Sequence, residues 1–147
     1  MKLDVTAPII PFEGFGGIKL YSTKEELRDI LSLDDVESKI FYNAWIVYDI
    51  QNSVELLFHI KNDKLFLIRT LDNYKGKLFG KIGVGTTEEE MLETEPSFVY
   101  DDFEEVWKSD KGIIVETDAV TNRARWISVY IPETLSDDFF NVEKCNW

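Results

Sequence analysis

The sequence has little cysteine, little histidine and no long apolar run. Its single cysteine, Cys145, cannot form an internal disulfide, which is typical of a protein kept in a reducing compartment. No window approaches the roughly 18 uncharged apolar residues of a transmembrane helix. The first residues also lack the apolar run of a signal peptide. We therefore expect a cytoplasmic protein.

Positive charge is scarce as well. Asp and Glu number 28 against 16 Lys and Arg, so the formal net charge is -12. Contacts with phosphates or anionic lipids need clustered basic residues, so this balance argues against nucleic acid or a membrane surface as partners and favours a basic protein. A chain of 147 residues that is 44% hydrophobic can bury one core, and we expect one domain over residues 1–147.

Residues for catalysis or metal binding are also few. His59 is the only histidine, and its place in an alternating segment predicts a surface residue of a sheet. Asp101 to Glu105 lack the frame of a calcium loop, and the glycines from Gly80 to Gly85 lack the Lys-Ser/Thr ending of a phosphate loop. We expect no cofactor, no metal site and no catalytic residue, and hence no enzyme.

The chain does contain an internal repeat. The segment Gly17 to Leu31 recurs from Lys81 at an offset of about 64 residues, which aligns Thr23 with Thr87 and Leu27 with Met91. Ser22-Thr-Lys-Glu25 and Thr86-Thr-Glu-Glu89 each predict a capping box that opens a helix.

The fold prediction follows from the segments after each capping box. Alternating apolar residues predict strands over 41–50, 54–60 and 65–70 in the first half, and over 112–117 and 124–131 in the second. We expect repeats at about 17–70 and 80–132 and a C-terminal tail at 133–147. The predicted class is α+β: tandem helix-plus-hairpin or meander repeats that form one antiparallel sheet with both helices packed on one face.

The two segments Gly17 to Leu27 and Gly80 to Met91 carry a resemblance. Their pattern, Gly, alternating apolar residues, Ser/Thr and then Glu-Glu-apolar, resembles the tandem-repeat β-lactamase inhibitory protein fold and the outer-membrane assembly lipoprotein domains of the small protein A type. Small acidic cytoplasmic proteins with such domains are similar to the immunity proteins of bacterial toxin systems, including contact-dependent growth inhibition. The resemblance implies a protein that binds another protein.

Candidate binding residues come from two places. Residues 86–110 hold ten carboxylates against the single cation Lys108, interleaved with aromatic residues, of which Phe103 and Trp107 have helical spacing with Val106. The face of the sheet opposite the helices should display further aromatic residues. The alternatives are a solvated acidic loop and an outer face covered by the N-terminal segment or the C-terminal tail. The candidate partner-binding residues are Glu93, Glu95, Tyr100, Asp101, Asp102, Glu104, Glu105, Trp107, Asp110, Trp45, Trp126 and Tyr130.

Three functional hypotheses follow. The first is an immunity protein that neutralises a cognate basic toxin, with a nuclease as the favoured class, by covering its substrate-binding face with acidic and aromatic residues. The second is a small-ligand-binding or hydrolase domain with a pocket on the open sheet face. The third is a homodimer in which two outer sheet faces bury each other.

Overall fold

The computed structural model describes residues 2–147, and one large antiparallel sheet dominates it. A two-stranded ribbon and a short helix come first: β1 (Gly14–Phe15), β2 (Ile18–Lys19) and α1 (Arg28–Leu31). Four strands follow: β3 (Val36–Phe41), β4 (Trp45–Ile50), β5 (Val54–His59) and β6 (Leu65–Thr70). Next come α2 (Glu88–Thr94), β7 (Val99–Asp101), β8 (Val106–Ser109), β9 (Ile113–Thr117), β10 (Ala124–Tyr130) and a 3-10 helix at Pro132–Leu135.

The strands from β3 to β10 form one sheet in the order β3-β4-β5-β6-β10-β9-β8-β7. Each half of the chain contributes a four-stranded meander, and the two meanders meet where β6 pairs with β10. Strands β3 and β7 are therefore the edges. Neither α-helix of the described residues has the length and apolar character needed to cross a membrane.

The predicted α+β class is wrong, because the protein is mainly β. Helix α1 has four residues and α2 has seven, so residues 2–147 contain no helical layer over the sheet. The face that carries Leu56, Ile68 and Val129, here called the inner face, lies in one core cluster with largely irregular segments of residues 9–30 and 74–98. The reason is that the apolar residues at helical spacing are too few to extend either helix beyond two turns.

Two segments for which the sequence predicts no strand form hairpin strands in the structure. The sequence predicts no strand over residues 34–40, yet these hold β3 except for its last residue, Phe41. It predicts an acidic loop over residues 97–110, where β7 and β8 lie. Asp101 accepts hydrogen bonds from the amides of Phe103 and Glu104, which turns the chain sharply between the strands. The helical spacing of Phe103, Val106 and Trp107 is thus misleading, and Phe103 is 96% exposed on the turn.

Both predicted capping boxes are misplaced by one residue, and only the second caps a helix: Thr87 is the N-cap of α2, whereas α1 has Leu27 at its N-cap and no side-chain cap. The observed pairs are Thr23 with Glu26 and Thr87 with Glu90, in which each threonine Oγ1 accepts the glutamate amide N–H at 3.2 Å. Ser22 and Thr86 still belong to extended chain, because their carbonyls accept the amides of Leu65 and Ala124, respectively. Each helix can start only after that pairing ends.

We expect Thr87→Ala to lower the free energy of unfolding by about 1 kcal/mol, because the amide of Glu90 loses its acceptor at the start of α2. Urea denaturation would measure it. Thr94→Ala, in the last turn of the same helix, is the control and should change stability little. Equal destabilisation by both substitutions would contradict the capping role.

Candidate functional site

The face of the sheet opposite the inner face, here called the outer face, carries the candidate site. As the alternation predicts, strand register places Trp45, Leu57, Trp126 and Tyr130 on it, on the same side as His59. Part of this face is covered by the C-terminal tail, residues 133–147. The ring centroids of Trp45 and Phe140 are 4.8 Å apart.

His59 fastens the C-terminal tail to the sheet. The amide N–H of Lys61 donates to its Nδ1 at 3.1 Å, and its Nε2 lies 2.7 Å from the carbonyl oxygen of Phe139. Because an amide only donates and a carbonyl only accepts, the neutral tautomer with the proton on Nε2 satisfies both bonds. His59 is 0% exposed, so the prediction of a surface residue is wrong.

The turn between β5 and β6 adds two more bonds to the tail. Lys61 Nζ donates to the carbonyl of Cys145, and Asn62 Nδ2 donates to the carbonyl of Trp147 at 2.9 Å. The ring of Trp147 stacks on Phe139 with centroids 5.2 Å apart. The tail is therefore held by polar bonds at one turn and by aromatic packing on the sheet.

We expect His59→Phe to loosen the C-terminal tail, because the substitution leaves the Lys61 amide and the Phe139 carbonyl without their partner. Cys145, which is buried in the tail, should then react with a thiol reagent at least about tenfold faster. Thr87→Ala is the control for general loss of stability. Equal thiol reactivity in the two variants would rule out a specific clamp.

Beyond the tail, one cross-strand ladder of residues runs over the outer face of all eight strands. In spatial order it reads Glu37, Asp49, Glu55, Arg69, Ser128, Ile114, Lys108 and Val99. Three carboxylates thus lie side by side on β3, β4 and β5. Like charges directly opposite each other destabilise a sheet, so this row is unfavourable for the isolated protein.

Arg69 balances only part of this charge. Its Nη1 donates to Glu55 at 2.6 Å and its Nε donates to Ser128 Oγ at 3.1 Å, which fixes the guanidinium at the centre of the sheet. Glu37 and Asp49 form no ion pair with any residue of the described chain. The β3 and β4 end of the ladder therefore presents uncompensated negative charge.

A groove of about 340 Å³ opens on the outer face beside Arg69. It is lined by Glu55, Arg69, Val106, Ile114, Glu116, Trp126 and Ser128. A neighbouring cavity of about 440 Å³ shares five of these residues and reaches the C-terminal tail at Phe140. Trp126 lies in the groove with the guanidinium of Arg125 4.5 Å from its ring centroid.

Glu116 is the acid of the groove whose pKa is raised. Burial raises the pKa of its carboxyl, and the nearby charge of Glu105 adds to this, whereas Arg69 and Arg125 oppose it. Within residues 2–147 it makes no side-chain hydrogen bond or ion pair that would compensate directly. The ionised carboxylate is therefore less stable here than in water.

We expect Glu116→Gln to raise the Tm at pH 7 by roughly 2 °C. The pKa of Glu116 is raised in the folded state. Its favourable contribution to folding stability is therefore complete at a pH below its pKa in the unfolded state, and it is lost as the pH rises through its pKa in the folded state. Gln mimics the protonated form, so the gain should disappear toward pH 4. Thermal unfolding at both pH values, with Glu89→Gln as the exposed control, measures it. A gain of equal size at both values would refute the assignment.

The predicted acidic residues are partly neutralised by lysines in the β7–β8 hairpin and just after it. Lys108 Nζ lies 3.1 Å from Asp101 and 3.2 Å from Glu104, and Lys111 pairs with the buried Glu95 at 2.7 Å. Backbone hydrogen bonding by Glu104 is the main cause that lowers the pKa of Asp101. The hydrogen bond from Lys111 is the main cause that lowers the pKa of Glu95.

The structure does not bring all twelve candidate residues together. Tyr100 and Trp107 pack against each other on the inner side of β7 and β8, with ring centroids 5.0 Å apart. Tyr130 is buried beside Phe12, and Trp45 is partly covered by the tail. Glu93, Asp102, Glu105 and Asp110 are exposed and do not line the groove or its neighbouring cavity. Of the twelve, only Glu104, Trp126 and Tyr130 line the groove or its neighbouring cavity.

The sequence reasoning missed the outer-face residues Glu37, Asp49, Glu55, Arg69 and Glu116. One signal was available: Asp49 and Glu55 alternate in phase with Val47 and Leu57, which the pattern places on the outer face. The first four of these five residues join into one row only through the pairing of β3, β4, β5 and β6, and Glu116 reaches the groove only when β9 pairs with β10. Among residues 2–147, no three His, Cys, Asp or Glu side chains are arranged to hold a metal ion.

Comparison with known proteins gives a likeness of fold only. No family model and no curated protein matches the chain. A crystal structure of a cysteine-rich secretory protein from Staphylococcus aureus superposes with a TM-score of 0.54 at 12% sequence identity. The match covers 93% of this chain and 52% of that one, so this chain spans about half the length of that protein.

Proposed function

We propose that this protein binds and neutralises a basic protein partner, in the manner of an immunity protein, and that the outer face of the sheet is its binding surface. The observation that carries the proposal is the ladder of Glu37, Asp49 and Glu55, together with Glu116 in the adjacent groove. These acids lie on the sheet, and among residues 2–147 the ion pair of Glu55 with Arg69 is the one that any of them forms.

Energetics support a partner with Lys and Arg side chains. Adjacent carboxylates repel each other in the free protein, and burial disfavours the ionised form of Glu116. A cation of the partner placed among these carboxylates would offset both the repulsion and the cost of burying ionised Glu116, and this adds to the free energy of binding. The overall charge of -12 adds long-range attraction that accelerates association at low salt.

Aromatic residues around the acids supply the apolar part of the surface. Trp126 lines the groove, and a cluster of Phe41, Tyr42 and Trp45 lies at the end of β3 and β4, where Tyr42 is 86% exposed. Trp and Tyr ringed by charged residues are typical of binding hot spots. Backbone pairing holds neighbouring strands about 4.8 Å apart, so little ordering is needed on binding.

The mechanism is occlusion. The carboxylates take the place that phosphates would occupy on a basic nucleic-acid-binding face, which favours a nuclease toxin as the partner. The single buried thiol, Cys145, fits a reducing compartment, and we propose the cytoplasm as the place of action.

We expect a neighbouring gene to encode a basic partner, and the test is the affinity for that protein, measured by calorimetry between about 50 and 300 mM salt. We expect Asp49→Asn/Glu116→Gln to weaken binding about tenfold or more and to reduce its salt dependence. Glu13→Gln/Glu25→Gln removes the same charge from exposed positions outside the sheet and should bind like the parent protein. Absence of binding, or equal losses in both variants, would overturn the proposal.

A further inference from the structure

The free edge of the sheet at β3 is another surface that can take a partner. All six residues of β3 pair with β4 on one side only. The strand contains no proline and no bulge, which are common protections of an edge. Ile40 on this edge is 54% exposed.

Hydrogen bonds at the two ends of β3 show in which direction its backbone groups point. The carbonyl of Asp35 accepts the amide of Gln51, and the carbonyl of Phe41 accepts the amide of Ala44, so these odd-numbered residues point toward β4. Because direction alternates along a strand, the amides and carbonyls of Val36, Ser38 and Ile40 point to the free edge. Another strand can pair with those three residues.

We propose that a second copy of this chain occupies this edge, with the two β3 strands antiparallel and Ser38 opposite Ser38 of the other copy. In an antiparallel pair, the backbone groups of two opposite residues either both point into the gap between the strands or both point away from it. A twofold axis therefore passes through a residue, because an axis between two residues would place an outward-pointing residue opposite an inward-pointing one. The register at Ser38 pairs Val36 with Ile40 of the other copy. It also pairs Glu37 with Lys39.

Charge selects this register over its neighbours. On the outer face, the Ser38 register places two Glu37–Lys39 pairs across the axis, which is favourable. A twofold axis at Glu37 or at Lys39 would instead place two like charges directly opposite. On the inner face, Ile40 covers Val36 of the other copy, which shields the exposed apolar surface of the edge.

The resulting interface is small. It adds about six backbone hydrogen bonds, two ion pairs and two apolar pairs. Interfaces of that size are at the weak end of specific association, and we expect a dissociation constant of roughly 10 µM. The dimer would join two eight-stranded sheets into one, with both outer faces on the same side.

Sedimentation velocity from about 1 to 300 µM tests the dimer. We expect Glu37→Lys and Lys39→Glu each to weaken it about tenfold, because each puts like charges opposite each other in both symmetric pairs. The double variant Glu37→Lys/Lys39→Glu restores opposite charges and should dimerise like the parent protein, which separates the interface from any folding defect. A monomer at all concentrations, or a dimer that ignores these changes, would overturn the proposal.

The register has its own test. The Cα atoms of a hydrogen-bonded antiparallel pair are about 5.5 Å apart, which a disulfide spans, so Ser38→Cys should form a covalent dimer on mild oxidation. Ile40→Cys faces Val36 and should not. Crosslinking through Ile40→Cys, or through Val99→Cys on the opposite edge strand β7, would show a different register or edge. These outcomes are independent of whether the outer face binds a basic partner.

Discussion

The pairing of β6 with β10 is the contact on which the rest of the structure depends. It joins Leu67, Ile68 and Arg69 to Tyr130, Val129 and Ser128, which turns two four-stranded meanders into one sheet. Ile68 and Val129 lie at the centre of the inner-face core, and Arg69 donates to Ser128 on the outer face. Since these residues are far apart in sequence, loop-closure entropy opposes the contact until much of both halves is in place.

The same pairing creates the candidate site. Glu55 and Arg69 belong to the first half, while Ser128, Ile114 and Glu116 belong to the second, so the groove exists only when the halves are joined. Arg69 stabilises the junction, but its guanidinium donates to Glu55 and Ser128, and no side chain of residues 2–147 forms an ion pair with Glu116. The structure thus keeps unfavourable charge on a rigid surface, which is a common compromise between stability and binding.

The C-terminal tail sets how much of the outer face remains open. Its aromatic residues cover the region of Trp45 and Phe66, and His59 secures it with two hydrogen bonds. A histidine in an alternating strand gives no sign of this, because the bonding partner Phe139 is 80 residues away. The apolar patch anticipated on the outer face is therefore largely covered, and the surface that remains is acidic.

Local pattern by itself determined the strands β4, β5, β6, β9 and β10, because each buries one face and alternates accordingly. It did not determine β3, β7 or β8, since edge strands and tight hairpins bury too little to show a period. The internal repeat and the kind of partner remain predictions. Only the tertiary structure decided that carboxylates from β3, β4 and β5 form one row and that Glu116 lies beside Trp126. The reason is physical: charge and helix length are properties of the sequence, whereas the neighbours of a side chain across a sheet depend on strand order and register.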